Sequence, residues 1–229
     1  MPVFFLAALA ILISTGALGR MLSAAPAPPP EQSEQPTAAS EPPPPPVITL
    51  KPALPLLVNA QNPLPEDYPA VKTVDMYRKV DVLNVSIKVS EEIAAPLIEM
   101  FDAAKAAGHS GMFLSDGYRT ETEQQALYDA AENKAFVQPP GCSEHQTGLS
   151  VDISISKVPA AQMADNPTGK WFIENCWQYG FILRYPADKA DITGISYEPW
   201  HFRYVGLDAA KVCHDQNLCL EEYIEMFGG

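Results

Sequence analysis

The chain has 229 residues, 47% of them hydrophobic, with a formal net charge of −13 and a pI of about 4.6. That length suits one catalytic domain with extensions. The acidic balance excludes a nucleic-acid partner, because phosphate binding requires clustered Lys and Arg.

Val3 to Leu18 is an apolar run without a charge, short for a membrane span of about 20 residues. Small-x-small patterns at Ala17-Leu18-Gly19 and Ser23-Ala24-Ala25 predict an export signal peptide. No Lys or Arg precedes the run and Arg20 follows it, so an uncleaved membrane anchor is the alternative. Either way, residues 1–23 are read as an export segment that places the domain outside the cytoplasm. Ala24 to Pro46 is rich in Pro, Ala, Ser and Glu, which predicts an extended linker over residues 24–47. Residues 48–229 then form the folded domain.

Within that domain Leu56 to Asn59 reads as a first short strand, broken by Asn62-Pro63-Leu64-Pro65. Ser90 is a helix N-cap followed by Glu91 and Glu92, which favour the positive helix end. Ile93, Leu97, Met100, Phe101 and Ala104 fall at helical spacing, and Gly108 ends the helix. Met112 to Leu114 is a short strand leading to a Gly117 turn. Thr120 with Glu123 forms a capping box for a helix running to about Asn133. Leu149 to Ile155 alternates as a half-buried strand does. A helix from Lys170 to Tyr179 ends at Gly180, and strands follow at Phe181–Leu183 and Trp200–Val205. Without a regular βαβ repeat, these elements predict a small α+β domain with a mostly antiparallel sheet.

Four histidines occur: His109, His145, His201 and His214. His145 precedes Asp152 by seven residues, and Glu198 precedes His201 by three. On a strand, neighbours point to opposite faces. Asp152 therefore turns to a groove if Val151 and Ile153 face the core, and His201 does so if Trp200 packs inward. A catalytic zinc takes three protein ligands and keeps one position open. Two imidazoles and one carboxylate meet that need, and a further carboxylate can take a proton. Spacing alone does not show that the two segments meet, and HExxH is absent. His109 and His214 match no motif and read as surface residues. Asp116 fits either a groove acid or a turn-stabilising Asp. The four cysteines, Cys142, Cys176, Cys213 and Cys219, allow three connectivities. An exported chain permits disulfides; Cys213 and Cys219, close in sequence, could bridge locally, with Cys142 and Cys176 closing a longer loop.

The segment PGCSEHQTGLSVDI resembles the SxHxxGxAxD motif of the VanY-type D,D-carboxypeptidases, and YEPWHFRYVG resembles their ExWH motif. LLVNAQNPLP, SDGYRTETEQQALY and KWFIENCWQYGFILRYP are similar to further stretches of that family. Ser150 stands where the family often has Ala. The resemblance spans about Leu56 to Tyr223. It implies the fold of the LAS/hedgehog-like zinc peptidases, with helices around a small sheet and the metal in a groove on it. It implies one zinc ion per chain held by His145, Asp152 and His201, with Glu198 as general base. Arg119 would stabilise the oxyanion, Gln124 and Ser143 would contact the substrate near its C-terminal D-Ala carboxylate, and Trp200 would pack beside the site. The implied reaction is removal of the C-terminal D-Ala from a peptidoglycan stem peptide by attack of a zinc-bound water. A monomer is expected, although the sequence does not fix the oligomeric state. A D,D-dipeptidase or peptidoglycan endopeptidase would use the same metal site. A non-catalytic wall-binding module is a third reading, against which the intact set of four metal-site residues argues.

Overall fold

The structure, a computed structural model, describes residues 54–228. The residues expected to form an export segment and a Pro-rich linker lie outside the described residues. Among the described residues no helix is long and apolar enough to cross a membrane.

The chain first pairs two short strands, β1 (Thr73–Asp75) and β2 (Lys88–Ser90), antiparallel. Helix α1 (Glu91–Ala106) starts on Ser90, whose side chain accepts from the Glu92 N–H. Its predicted apolar stripe is its buried face: Ile93, Leu97, Met100, Phe101 and Ala104. Strand β3 (Met112–Asp116) and helix α2 (Glu121–Ala130) follow, the latter with the expected Thr120–Glu123 capping box. Strand β4 (Ser150–Ile155), helix α3 (Pro167–Asn175) and strand β5 (Phe181–Leu183) come next. A one-turn helix α4 (Ala190–Thr193), strand β6 (His201–Tyr204), and helices α5 (Leu207–Gln216) and α6 (Leu220–Phe227) complete the chain.

Strands β3, β4, β6 and β5, in that order, form one antiparallel sheet. Val151, Ile153 and Ile155 of β4 and Phe202 of β6 enter the main core with the stripe of α1 and Phe172 of α3. Phe101 and Phe172 lie 5.4 Å apart between ring centroids. Because side chains alternate, the other face of β4 and β6 carries Asp152 and His201, which sit directly opposite each other across the ladder. A register shift between Leu114 and Asp116 then sets Asp116 opposite Asp152. Three neighbouring strands thus align three polar side chains on the face away from the main core. A second cluster joins Ile182 of β5 to Ala209, Ala210 and Cys213 of α5 and Leu220 and Tyr223 of α6.

Several expectations need correction. Among the described residues Leu56–Asn59 pairs with no neighbouring strand: Asn59 bridges Asn62 in a turn whose N–H groups it caps through Oδ1. The helix from Thr120 stops at Ala130, because Asn133 caps a separate 3₁₀ turn over Lys134–Phe136. The helix before Gly180 starts earlier, at Pro167 behind the Asn166 cap, and its last turn, Cys176–Tyr179, is 3₁₀. The cysteines form no bridge. All four are free and buried, with Cys176 in the main core and Cys213 in the second cluster. Burial pushes the Cys176 and Cys213 thiols up to about 12 and Cys219 up to about 11, which suppresses the thiolate that disulfide exchange needs.

Candidate active site

His145 sits in a 3₁₀ turn, Glu144–Thr147, that ends at Gly148 with φ of 67°. A Cβ on Gly148 would come within 3.0 Å of the Ser90 nitrogen. Glycine therefore lets the chain reverse against β2, whose Ser90 N–H donates to the Gly148 carbonyl. The His145 ring is fixed by Nδ1, 2.7 Å from the Gly117 carbonyl. That carbonyl can only accept, so the proton sits on Nδ1 and the Nε2 lone pair faces the groove. Gly117 is itself constrained: a Cβ there would meet the Lys88 carbonyl oxygen at 2.2 Å.

His201 presents its other nitrogen. Its Nδ1 lies 3.1 Å from Asp152 Oδ1 and 3.7 Å from Glu198 Oε2. His145 Nε2 lies 3.5 Å from the same Asp152 oxygen. One ligand atom from each of His145, Asp152 and His201 falls within 4.8 Å of the others. Asp152 Oδ1 is buried without a hydrogen-bond partner. An orphaned carboxylate oxygen between two imidazoles fits a cation, and this donor set fits zinc with an open position. Burial opposes charge on Asp152, yet His145 and His201 outweigh it and hold its carboxyl far below the usual range.

The three ligands line a pocket of about 230 Å³ together with Arg119, Gln124, Ser143, Glu198 and Trp200. All the residues expected at the site are therefore brought to one cavity. Burial raises the Glu198 carboxyl to about 7, with Asp152 adding to the shift and His201 and Arg119 opposing it. Arg119 donates its backbone N–H to the His145 carbonyl, and its Nε lies 3.4 Å from Asp116 Oδ2. Asp116 Oδ1 accepts from the Gly117 N–H, so this residue both stabilises the turn and faces the groove. Gln124 is buried, donates from Nε2 to the Gln138 carbonyl, and keeps Oε1 without a partner. The ring of Trp200 lies 6.3 Å from that of Phe136, which shares the wall.

Sequence reasoning passed over Glu144, Tyr185 and Phe136, all of which line the pocket. The Tyr185 ring lies 5.0 Å from that of His201. Glu144 had one legible signal: Arg184 and Arg203 interrupt apolar strands, and charges placed there demand a buried partner. His109 and His214 stand away from the site. His214 is exposed and stacks on Trp177, whereas His109 is half-buried beside Trp171 and 3.4 Å from Thr168 Oγ1.

A family model described as VanY, D-alanyl-D-alanine carboxypeptidase, matches residues 86–207, just over half of the chain. The chain belongs to the VanY family. A D-alanyl-D-alanine carboxypeptidase of Enterococcus faecium is 39% identical over 176 residues, covering 74% of this chain and 57% of that protein. The chain spans less than two thirds of the length of the curated VanY-type relatives it matches. Among solved structures, the LdcB LD-carboxypeptidase matches with a TM-score of 0.67 and 40% identity, over 74% of this chain and 84% of that one. A variant of the VanY D,D-pentapeptidase from a VanB-type resistance cassette, in complex with Zn(II), matches with a TM-score of 0.60 and 38% identity, over 74% and 97% of the two chains. The α+β fold expected of this family is the one found.

Proposed function

We propose that this chain is a zinc-dependent D-alanyl-D-alanine carboxypeptidase acting on peptidoglycan stem peptides. The observation that carries the reading is the cross-strand pair Asp152–His201, which meets His145 in a pocket whose other carboxylate, Glu198, lies 3.7 Å from His201 Nδ1. His145, Asp152 and His201 would hold zinc, which supplies Lewis acidity by lowering the pKa of a coordinated water to about 7 and polarising a carbonyl oxygen. Glu198 accepts the proton of the attacking water and returns it to the leaving amine, a task for which a carboxyl raised to about 7 is well matched. Arg119 stabilises the oxyanion, since a guanidinium stays charged and offers several donors. Gln124, through its unpartnered Oε1, and Ser143 contact the substrate near its C-terminal D-Ala. Trp200 shields one wall. Residues 1–23 direct export or anchoring, residues 24–47 act as a spacer, and the enzyme works as a monomer on wall material outside the cytoplasm.

The test is an assay of the purified protein on a stem pentapeptide ending in D-Ala-D-Ala, with and without a chelator. Release of D-Ala, abolished by the chelator and restored by zinc, is the expected result. Chelator-resistant release, or none, overturns the reading. The likeness to the LdcB LD-carboxypeptidase favours one second reading, cleavage after an L-centre. A tetrapeptide stem in the same assay separates the two, because only an L,D-enzyme releases D-Ala from it.

A further inference from the structure

Behind His201 lies a buried group of four charges that the proposed reaction does not use. Glu144, Arg184 and Arg203 have fully buried side chains, and Glu221 of α6 is partly buried, its side chain 13% exposed. Glu144 Oε1 accepts from Arg184 Nε at 2.8 Å and Arg203 Nη1 at 2.7 Å. Arg184 turns its remaining nitrogens to Glu221 in a bidentate pair, at 2.8 and 2.6 Å. Asn59 Nδ2 donates to Glu221, and Arg203 Nη2 to the Leu56 carbonyl. Two positive and two negative groups balance, as buried charges must. Leu56, Asn59 and Glu221 lie outside residues 86–207, so the group ties both flanks of the family's matched region to its centre.

The second oxygen of Glu144 is differently placed. Oε2 accepts from Ser150 Oγ at 3.1 Å and faces His201 Nε2 at 3.5 Å. That nitrogen is buried and has no hydrogen-bond partner of regular geometry. A neutral imidazole carries one proton. Both ring nitrogens face a carboxylate, Nδ1 toward Asp152 at 3.1 Å and Nε2 toward Glu144 at 3.5 Å. Once Nδ1 is given to the metal beside Asp152, the one proton belongs on Nε2, where Glu144 is the acceptor in front of it.

We propose that Glu144 is the positioning residue that keeps the His201 proton on Nε2 and its Nδ1 free for the metal, and that Glu221 steadies Glu144 through Arg184. This rests on the zinc-site reading above. The charge of Glu144 is what makes the device directional. In Glu144→Gln the two arginines claim the single amide oxygen. The NH₂ group then points at His201 Nε2, donor facing donor, and the imidazole is driven to carry its proton on Nδ1.

The experiment compares the parent protein, Glu144→Gln and Glu221→Gln by zinc competition against a chromophoric chelator. It is paired with heteronuclear NMR of ¹⁵N-histidine in the zinc-loaded parent. We expect His201 in the parent to ligate through Nδ1 and to show a slowly exchanging Nε2 proton. Glu144→Gln raises the zinc dissociation constant roughly 10–100-fold, the usual effect of losing such an outer partner, and Glu221→Gln raises it less. A parent that binds zinc through His201 Nε2 overturns this inference without recourse to any variant. So does a folded Glu144→Gln protein that holds zinc as tightly as the parent. Those outcomes leave the functional reading intact, whereas a parent that binds no zinc overturns both.

Discussion

The two imidazoles of the pocket are held by opposite means. His145 leans on a backbone carbonyl, Gly117, at 2.7 Å, and its own carbonyl receives the Arg119 N–H. His201 is surrounded by charged side chains: Asp152 and Glu198 on one edge, Glu144 with its two arginines on the other. The His145 half is thus fixed by main chain, which no side-chain replacement deletes. The His201 half is fixed by charge balance, which one replacement can upset. The proposed proton transfer sits in the second half, where burial raises the Glu198 carboxyl to about 7, with Asp152 adding to the shift.

Replacing the base should produce the largest effect. Glu198→Ala is expected to keep zinc, since Glu198 is not among the three grouped ligands, and to lower kcat/KM by about 10²–10⁴-fold. Metal analysis beside stem-peptide turnover checks this, and near-normal turnover would sink the assignment. Breaking the backbone-held half requires moving backbone. In Gly117→Ala the new Cβ would meet the Lys88 carbonyl oxygen at 2.2 Å, so β2 and the end of β3 must separate. An overpacking cost of about 1–3 kcal/mol is expected, together with weaker zinc binding as His145 loses its orienting carbonyl. Unchanged denaturation and zinc titration curves would show that the contact is not needed.

The sequence made the two halves unequally legible. The α1 stripe, the capping box at Thr120 and the alternation of β4 follow from local periodicity and reappear in the structure. The four residues of the metal site were legible as residue types and as a family resemblance. Their meeting was not, because it depends on the register that sets Asp152 opposite His201, and register is a property of two strands. Strands β1 and β2, three residues each, are too short to show a period. The cysteine pairing failed because an even count says nothing about which thiols the core separates. The charges around Glu144 escaped notice because Leu56, Glu144, Arg184, Arg203 and Glu221 are far apart in sequence and meet only through the sheet and α6.

A pH titration sharpens the contrast. In the metal-free protein, burial opposes charge on His201, but Asp152 and Glu144 outweigh it and raise its pKa from 6.5 to about 9. A raised pKa stabilises the fold below 6.5, and that contribution fades as pH rises through about 9. Zinc needs the neutral ring, so protons compete with it at every pH below about 9. Zinc affinity should climb by up to about tenfold per pH unit between these values and level off above. Affinity that stays flat from pH 6.5 to 9 would place the proton elsewhere.

The smallest effect should come from Ser150, which donates to the same Glu144 oxygen that faces His201. Ser150→Ala removes one buried hydrogen bond and leaves both arginine contacts on the other oxygen. The cost to stability is expected to be about 1 kcal/mol, read from chemical denaturation. Zinc affinity should improve slightly, because Oε2 then keeps His201 Nε2–H as its remaining donor. This separates the two duties of Glu144. If charge neutralisation of the arginines were all it did, His201 would not respond to Ser150 at all. A large loss of zinc in Ser150→Ala would instead mean that the hydroxyl, and not the arginine pair, sets the angle of the carboxylate.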